Sequence, residues 1–169
     1  MNELANQFSA IFRDEHRAVR DGLLELTESF KKRDQVKVVA LLGQVATLTG
    51  PHFRYEEESL YPALVESFGQ KYIDKLFADH DRLIGSAGRL VQLAGKDAWN
   101  DGEVDEAVEL VRDMLPHVSD CDGLSIMVER LPEEKLRTIL DARQRCNEAG
   151  LDLLRWAREV RKRPTPSAN

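Results

Sequence analysis

Cysteine is scarce here, with two in 169 residues, and histidine little commoner, with four. Cys121 and Cys146 form no C-x-x-C pair and no even framework of the kind that staples small secreted folds, which fits a reducing compartment. Basic residues are outnumbered, 24 to 30, for a net charge of −6. A phosphate backbone is repelled on average by such a surface, so nucleic acid is excluded as a partner class. Nowhere is there an apolar run long enough to span a bilayer, and the opening MNELANQFSAIF lacks a basic segment followed by an apolar one. No membrane partner and a cytoplasmic location are therefore expected. Missing as well is any convincing alternation of period two, the mark of a half-buried strand.

What is present is helical periodicity. Phe12, Val19, Leu23, Leu26 and Phe30 recur at helical steps with His16 in their stripe. A second helix starts after Asp34 as N-cap, carries Val38, Leu41, Val45 and Leu48 into His52 and Glu56, and stops at Gly69. A third runs from about Lys71 through His80, Ile84 and Val91 to Gly95. The fourth holds Val104, Val111, Leu115 and His117 and closes before Pro132. Pro132 then opens a fifth helix reaching about Arg161. Connections are short, so neighbours run antiparallel. The expected fold class is all-α, an up-down-up-down four-helix bundle over residues 1–131. An additional C-terminal helix over 132–162 covers a flank or forms a homodimer contact, and residues 163–169 form a disordered tail. Because closure of the bundle does not need that helix, its removal should leave a site in the bundle intact.

The four histidines fall one to each bundle helix. His16 and His52 are 36 residues apart, His80 and His117 are 37 apart. At about 1.5 Å rise per residue each hairpin returns to its starting level, so all four imidazoles share one height. Each second histidine follows a proline, Pro51 or Pro116, which kinks its helix. Each is also followed by acidic residues: Glu56 lies four after His52 and on the same face, and Asp122 lies five after His117, where a π turn would bring it into line. Buried carboxylates facing imidazoles are costly without a partner, and cations remove that cost. Nitrogen and carboxylate ligands inside a helical bundle suit paired iron or manganese.

The ordered series His16, His52-x-x-x-Glu56, His80, His117-x-x-x-x-Asp122 resembles the hemerythrin-like (HHE cation-binding) family over roughly residues 8 to 131, with HFRYEEESLYPAL similar to its second-helix signature. The resemblance implies two iron ions in an oxo- or hydroxo- and carboxylate-bridged centre, with manganese or zinc as alternative metals. His16 and His52 would hold one ion, His80 and His117 the other, with Glu56 and Asp122 bridging. It further implies a non-haem di-iron protein that binds or senses dioxygen, nitric oxide or peroxide. The alternatives are an enzyme or repair factor in peroxide or nitric-oxide detoxification or iron-sulfur centre repair, and a metal-free structural bundle. Oxygen-carrying members have H-x-x-x-H on the third helix; here Ile84 stands four after His80, so this is a four-histidine variant with an open position on each ion.

The remaining polar residues receive plainer expectations. Glu57 and Glu58 read as a solvated face, though Glu57 holds the five-apart position that Asp122 uses; Cys121 reads as a small packed residue, and as the substitute ligand should Asp122 point away. Arg20 is expected at the surface, Tyr55 and Tyr61 off the His52 face, and Arg155, Arg158, Arg161, Lys162 and Arg163 as a solubilising helix end. No general acid is evident beside the site.

Overall fold

The computed structural model describes residues 3–163, apart from the side chain of Asp122. The tail expected to be disordered lies outside the described residues, save Arg163. Among them all regular structure is helical, and no helix is long and apolar enough to cross a membrane.

Helix α1 (Glu3–Lys31) buries the stripe Phe8, Phe12, Val19, Leu23, Leu26 and Phe30. A tight turn through Arg33, whose φ is 54°, reverses the chain, and the Asp34 carboxylate accepts from the Lys37 amide to start α2 (Gln35–Tyr55). The same rod continues through a π turn, Glu56–Leu60, into α3 (Tyr61–Phe68). Gly69, at φ 78°, provides the left-handed stop that a Cβ would disfavour. Helix α4 (Gln70–Ala94) returns along the bundle. Asn100 and Glu103 then form a reciprocal capping box that starts α5 (Asp101–Asp122). A short α6 (Leu124–Val128) ends this part.

Two features differ from the sequence reading. The π turn expected after His117 stands instead after His52; α5 is α-helical through Asp122. And the C-terminal region is two helices, α7 (Glu133–Ala149) and α8 (Leu153–Glu159), because Gly150 adopts a left-handed conformation, φ 61°, and Asp152 caps a new start. Both pack on α2, α7 also on α1 and α8 on α4. The corner between them presses against α2 at Gly50, where a Cβ would come within 2.2 Å of the Leu151 carbonyl oxygen.

Apolar side chains form two buried clusters. One, around Leu23, Leu26, Phe30, Leu90 and Trp99, fills the end near the α1–α2 and α4–α5 turns. The other, around Phe8, Tyr55, Tyr61, Leu76 and Leu136, fills the opposite end. The four histidines lie between these two ends of the bundle.

Candidate metal centre

His16, His52, His80, His117 and Glu56 are all buried and converge in the middle of the bundle. His16 Nδ1 is 2.8 Å from the Phe12 carbonyl oxygen, one turn back on α1, which can only accept. That contact fixes the proton on Nδ1 and leaves the lone pair on Nε2 facing inward. His52 is set in the same way: its Nδ1 is 2.7 Å from Glu15 Oε2, and the Tyr55 hydroxyl donates to that oxygen at 2.8 Å. Arg143, from α7, donates to the other oxygen of Glu15 at 2.6 Å.

His80 repeats the scheme in the other half. Its Nδ1 is 2.9 Å from Glu57 Oε1, and Arg161, just beyond α8, donates to Glu57 through Nε and Nη2. The Arg161 side chain is fully buried and also pairs with Asp81 at 2.8 Å. Phe53 lies parallel to His80, with centroids 3.8 Å apart and planes 2° from parallel, and meets His117 edge-on at 5.6 Å. Two inward histidines are thus each held by a carboxylate, and each carboxylate by an arginine of the C-terminal region.

Inside this ring the polar atoms crowd one another. His16 Nε2 and His52 Nε2 face one another at 3.2 Å. With both Nδ1 atoms committed to acceptors, two neutral imidazoles would oppose lone pairs across that gap, and a cation relieves the clash. Glu56 spans the two halves: Oε1 is 3.4 Å from His52 Nε2 and Oε2 is 3.1 Å from His80 Nε2. Glu56 is fully buried, yet Oε1 makes no hydrogen bond. Ligand-type atoms of His16, Glu56 and Cys121 lie within 4.8 Å of one another, as do those of Glu56, His80 and His117, so Glu56 belongs to both sets. Asp122 ends α5, and its side chain lies outside the described residues.

Without metal, protons supply the missing positive charge. Burial alone would lower the pKa of His52, but Glu56 and Glu15 overcome it and raise it to about 10. His80 is raised likewise, against burial, by Glu56 and Glu57. Burial also acts against ionised Glu56, yet His52 and His80 hold it well below the usual carboxylate range. Burial, then the neighbouring His80, pushes His117 down to about 3. Burial and Glu56 raise the Cys121 thiol well above its ordinary value. Glu15 with Arg143, and Glu57 with Arg161, are already neutralised in pairs, so among the described residues Glu56 is left as the anion the centre must match. These donors fit a bound metal.

Several residues stand elsewhere than the sequence reading put them. Glu57 is not on a solvated face: the π turn places its carboxylate against His80. Arg161 is no solubilising end; its side chain is fully buried. Tyr61 points at the centre, its hydroxyl 3.0 Å from His80 Nε2 and 3.4 Å from Glu56 Oε2, because the five-residue step of the π turn sets it in line with Glu56. A proton-bearing group therefore does stand beside the site. Glu15 and Arg143 were missed; Glu15 directly precedes His16, and nothing local in the sequence ties it to His52. Arg20 lies at the surface, paired with Asp21.

On the side of the turns the centre borders an apolar cavity of about 60 Å³. His16, His52 and His117 form its floor, and Val19, Leu23, Met114 and Val118 are among its walls. Thr49 also lines it, but its hydroxyl donates to the Val45 carbonyl at 2.7 Å. Val91, 46% exposed, belongs to the lining, so one wall reaches the surface.

The hemerythrin HHE cation binding domain matches residues 7–124. The chain belongs to this family, and the match ends before α7, which carries Arg143, and before Arg161 just beyond α8. Comparisons with curated proteins and with solved structures gave no match.

Proposed function

We propose that this chain is a non-haem di-iron protein that binds or senses a diatomic or peroxide ligand, namely dioxygen, nitric oxide or hydrogen peroxide. The observation that carries the metal reading is the pair of inward Nε2 atoms of His16 and His52, 3.2 Å apart with both Nδ1 atoms committed elsewhere. His16 and His52 would hold one ion, and His80 and His117 the other. Glu56 would bridge them, with Asp122 proposed as a further carboxylate. Iron in such a set supplies ligand binding and one-electron redox chemistry.

The chain's own residues do the rest. Glu15 and Glu57 hold the imidazole planes and keep protons on Nδ1, so the Nε2 atoms stay available. Leu23, Met114 and Val118 keep the cavity dry; a small apolar molecule enters such space readily, whereas water needs polar partners there. That favours a diatomic ligand. Peroxide turnover is a second reading, supported by the Tyr61 hydroxyl, which holds a proton 3.0 Å from His80 Nε2.

For α7 and α8 we adopt the flank-covering role, since Leu136, Ile139, Ala142, Leu153 and Trp156 are buried within one chain. Sedimentation of the full chain tests the homodimer alternative. The metal reading is tested on anaerobically purified protein: close to two irons per chain, and changed near-ultraviolet and visible absorption when nitric oxide is added. Protein that stays metal-free when incubated with ferrous iron would leave only a structural bundle.

A further inference from the structure

The two hairpins differ one helical turn after each second histidine. His52 is followed one helical turn later by Glu56; His117 is followed one turn later by Cys121. Because α5 is α-helical through this stretch, Cys121 lies on the same face as His117, with Sγ 3.5 Å from His117 Nε2. Sγ is also 4.0 Å from the Tyr61 hydroxyl oxygen, and it completes the set of ligand-type atoms with His16 and Glu56.

A buried cysteine is by itself no site, since it packs as a small apolar residue. Cys146 does so between α7 and the bundle. What distinguishes Cys121 is its grouping with His16 and Glu56. Glu56 Oε1, fully buried and without a hydrogen-bond partner, belongs to the carboxylate that closes the set formed by Cys121 and His16. Charge argues the same way. With Glu15 and Glu57 already paired to arginines, two divalent ions would keep excess positive charge even with the proposed Asp122 carboxylate beside Glu56, and a buried centre calls for further anionic ligands.

We propose that Cys121 is a metal ligand, bound as thiolate to the ion that His16 and Glu56 hold. This rests on the metal reading above. On binding, the S–H bond breaks, its electron pair stays on sulfur and forms the sulfur–metal bond, and the proton leaves to solvent. One half of the centre then has nitrogen, oxygen and sulfur donors, and the other nitrogen and oxygen alone. Sulfur shifts preference from manganese toward iron, cobalt or zinc.

The test uses cobalt(II) as probe on the full-length metal-free chain. Thiolate ligation adds a near-ultraviolet sulfur-to-cobalt charge-transfer band to the visible bands that report binding. The unaltered chain and Cys146→Ser should both show that band; Cys121→Ser should bind cobalt and lack it. Cobalt binding without the band in the unaltered chain, or the band persisting in Cys121→Ser, would overturn the ligand assignment and leave the metal reading standing. Failure to bind cobalt or iron at all overturns both. Should Cys121→Ser not fold, X-ray absorption at the cobalt edge of the unaltered chain decides, since a sulfur scatterer at bonding distance is either present or absent. A spectrum unchanged in Cys121→Ser but altered in Asp122→Asn would return the position to an oxygen ligand.

Discussion

Arg161 and Glu57, 104 residues apart in the chain, meet as a two-pronged ion pair, with Arg161 Nη2 2.6 Å from Oε1 and Nε 3.0 Å from Oε2. Glu57 in turn accepts from His80 Nδ1, so the C-terminal end of the described chain braces an imidazole at the centre of the bundle. Removing one partner of a buried pair strands the other charge.

Arg161→Met should therefore free Glu57 to swing, and lower metal affinity by about 10- to 100-fold, as loss of such outer partners does. Arg161→Lys should recover part of this, because a lysine ammonium keeps the charge but not the planar fork. Competition with a chromophoric chelator measures both, and equal affinities in all three proteins would show that Glu57 is held without Arg161. Truncation at Pro132 should cost more, since Arg143 goes too. This reverses the expectation from sequence that the site survives without the C-terminal region.

Ligand removal from the centre itself is the sharper cut. His52→Ala and His117→Ala should each bring iron well below two per chain, measured by elemental analysis alongside circular dichroism. In the unaltered chain, chelation should lower the melting temperature, because metal binds only the assembled ligands. Identical melting of loaded and stripped protein would count against any metal role.

The bundle was legible in the sequence because its signals are periodic and local. Asp34, Gly69 and the apolar stripe of α1 need only nearest neighbours to be read. Leu48 and Val91 fit the stripes of the second and third helices yet are exposed, at 43% and 46%. The approximate level of the four histidines followed from counting residues up and down each hairpin. What sequence could not supply was contact between distant elements: Glu15 with His52 across 37 residues, Arg143 with Glu15 across 128. Spacing alone points to a π turn before Asp122, whereas the irregularity lies in the other hairpin and carries Glu57 and Tyr61 inward.

Protonation gives the metal-free protein a definite pH response. His52 is raised from 6.5 to about 10, so its contribution is complete below the unfolded value and is lost as pH climbs through about 10. His117 is depressed from 6.5 to about 3, so its contribution is present above the unfolded value and is lost as pH falls toward about 3. From these two groups, melting temperature in chelator should peak near neutrality and fall on both sides. Loaded protein should lose less on the alkaline side, because metal on Nε2 replaces the His52 proton. Acid should also release the metal.

Tyr61→Phe separates binding from turnover. The ring fills the same space, so iron content and nitric-oxide binding should be unchanged. If the hydroxyl passes a proton during peroxide consumption, the rate should drop by about 100-fold or more. An unaltered rate would leave binding as the better description.

The cavity offers a route that can be blocked. Ala87→Leu adds bulk to its lining and should slow nitric-oxide association seen by stopped flow while sparing iron content. Overpacking of this kind costs about 1–3 kcal/mol of stability, which a thermal melt would register. Unchanged association would place the entrance elsewhere.

Gly50 has a consequence for relatives of this chain. Any side chain there would push the Leu151–Asp152 corner off α2. That corner lies between Arg143 and Arg161, so one added methyl group would loosen the anchors of two histidines at once. A hemerythrin chain without a C-terminal pair of helices is free of that constraint. Glycine immediately before the Pro-His pair of the second helix, with basic residues some 90 and 110 positions later, thus becomes a searchable fingerprint for chains that brace their metal centre from outside the domain.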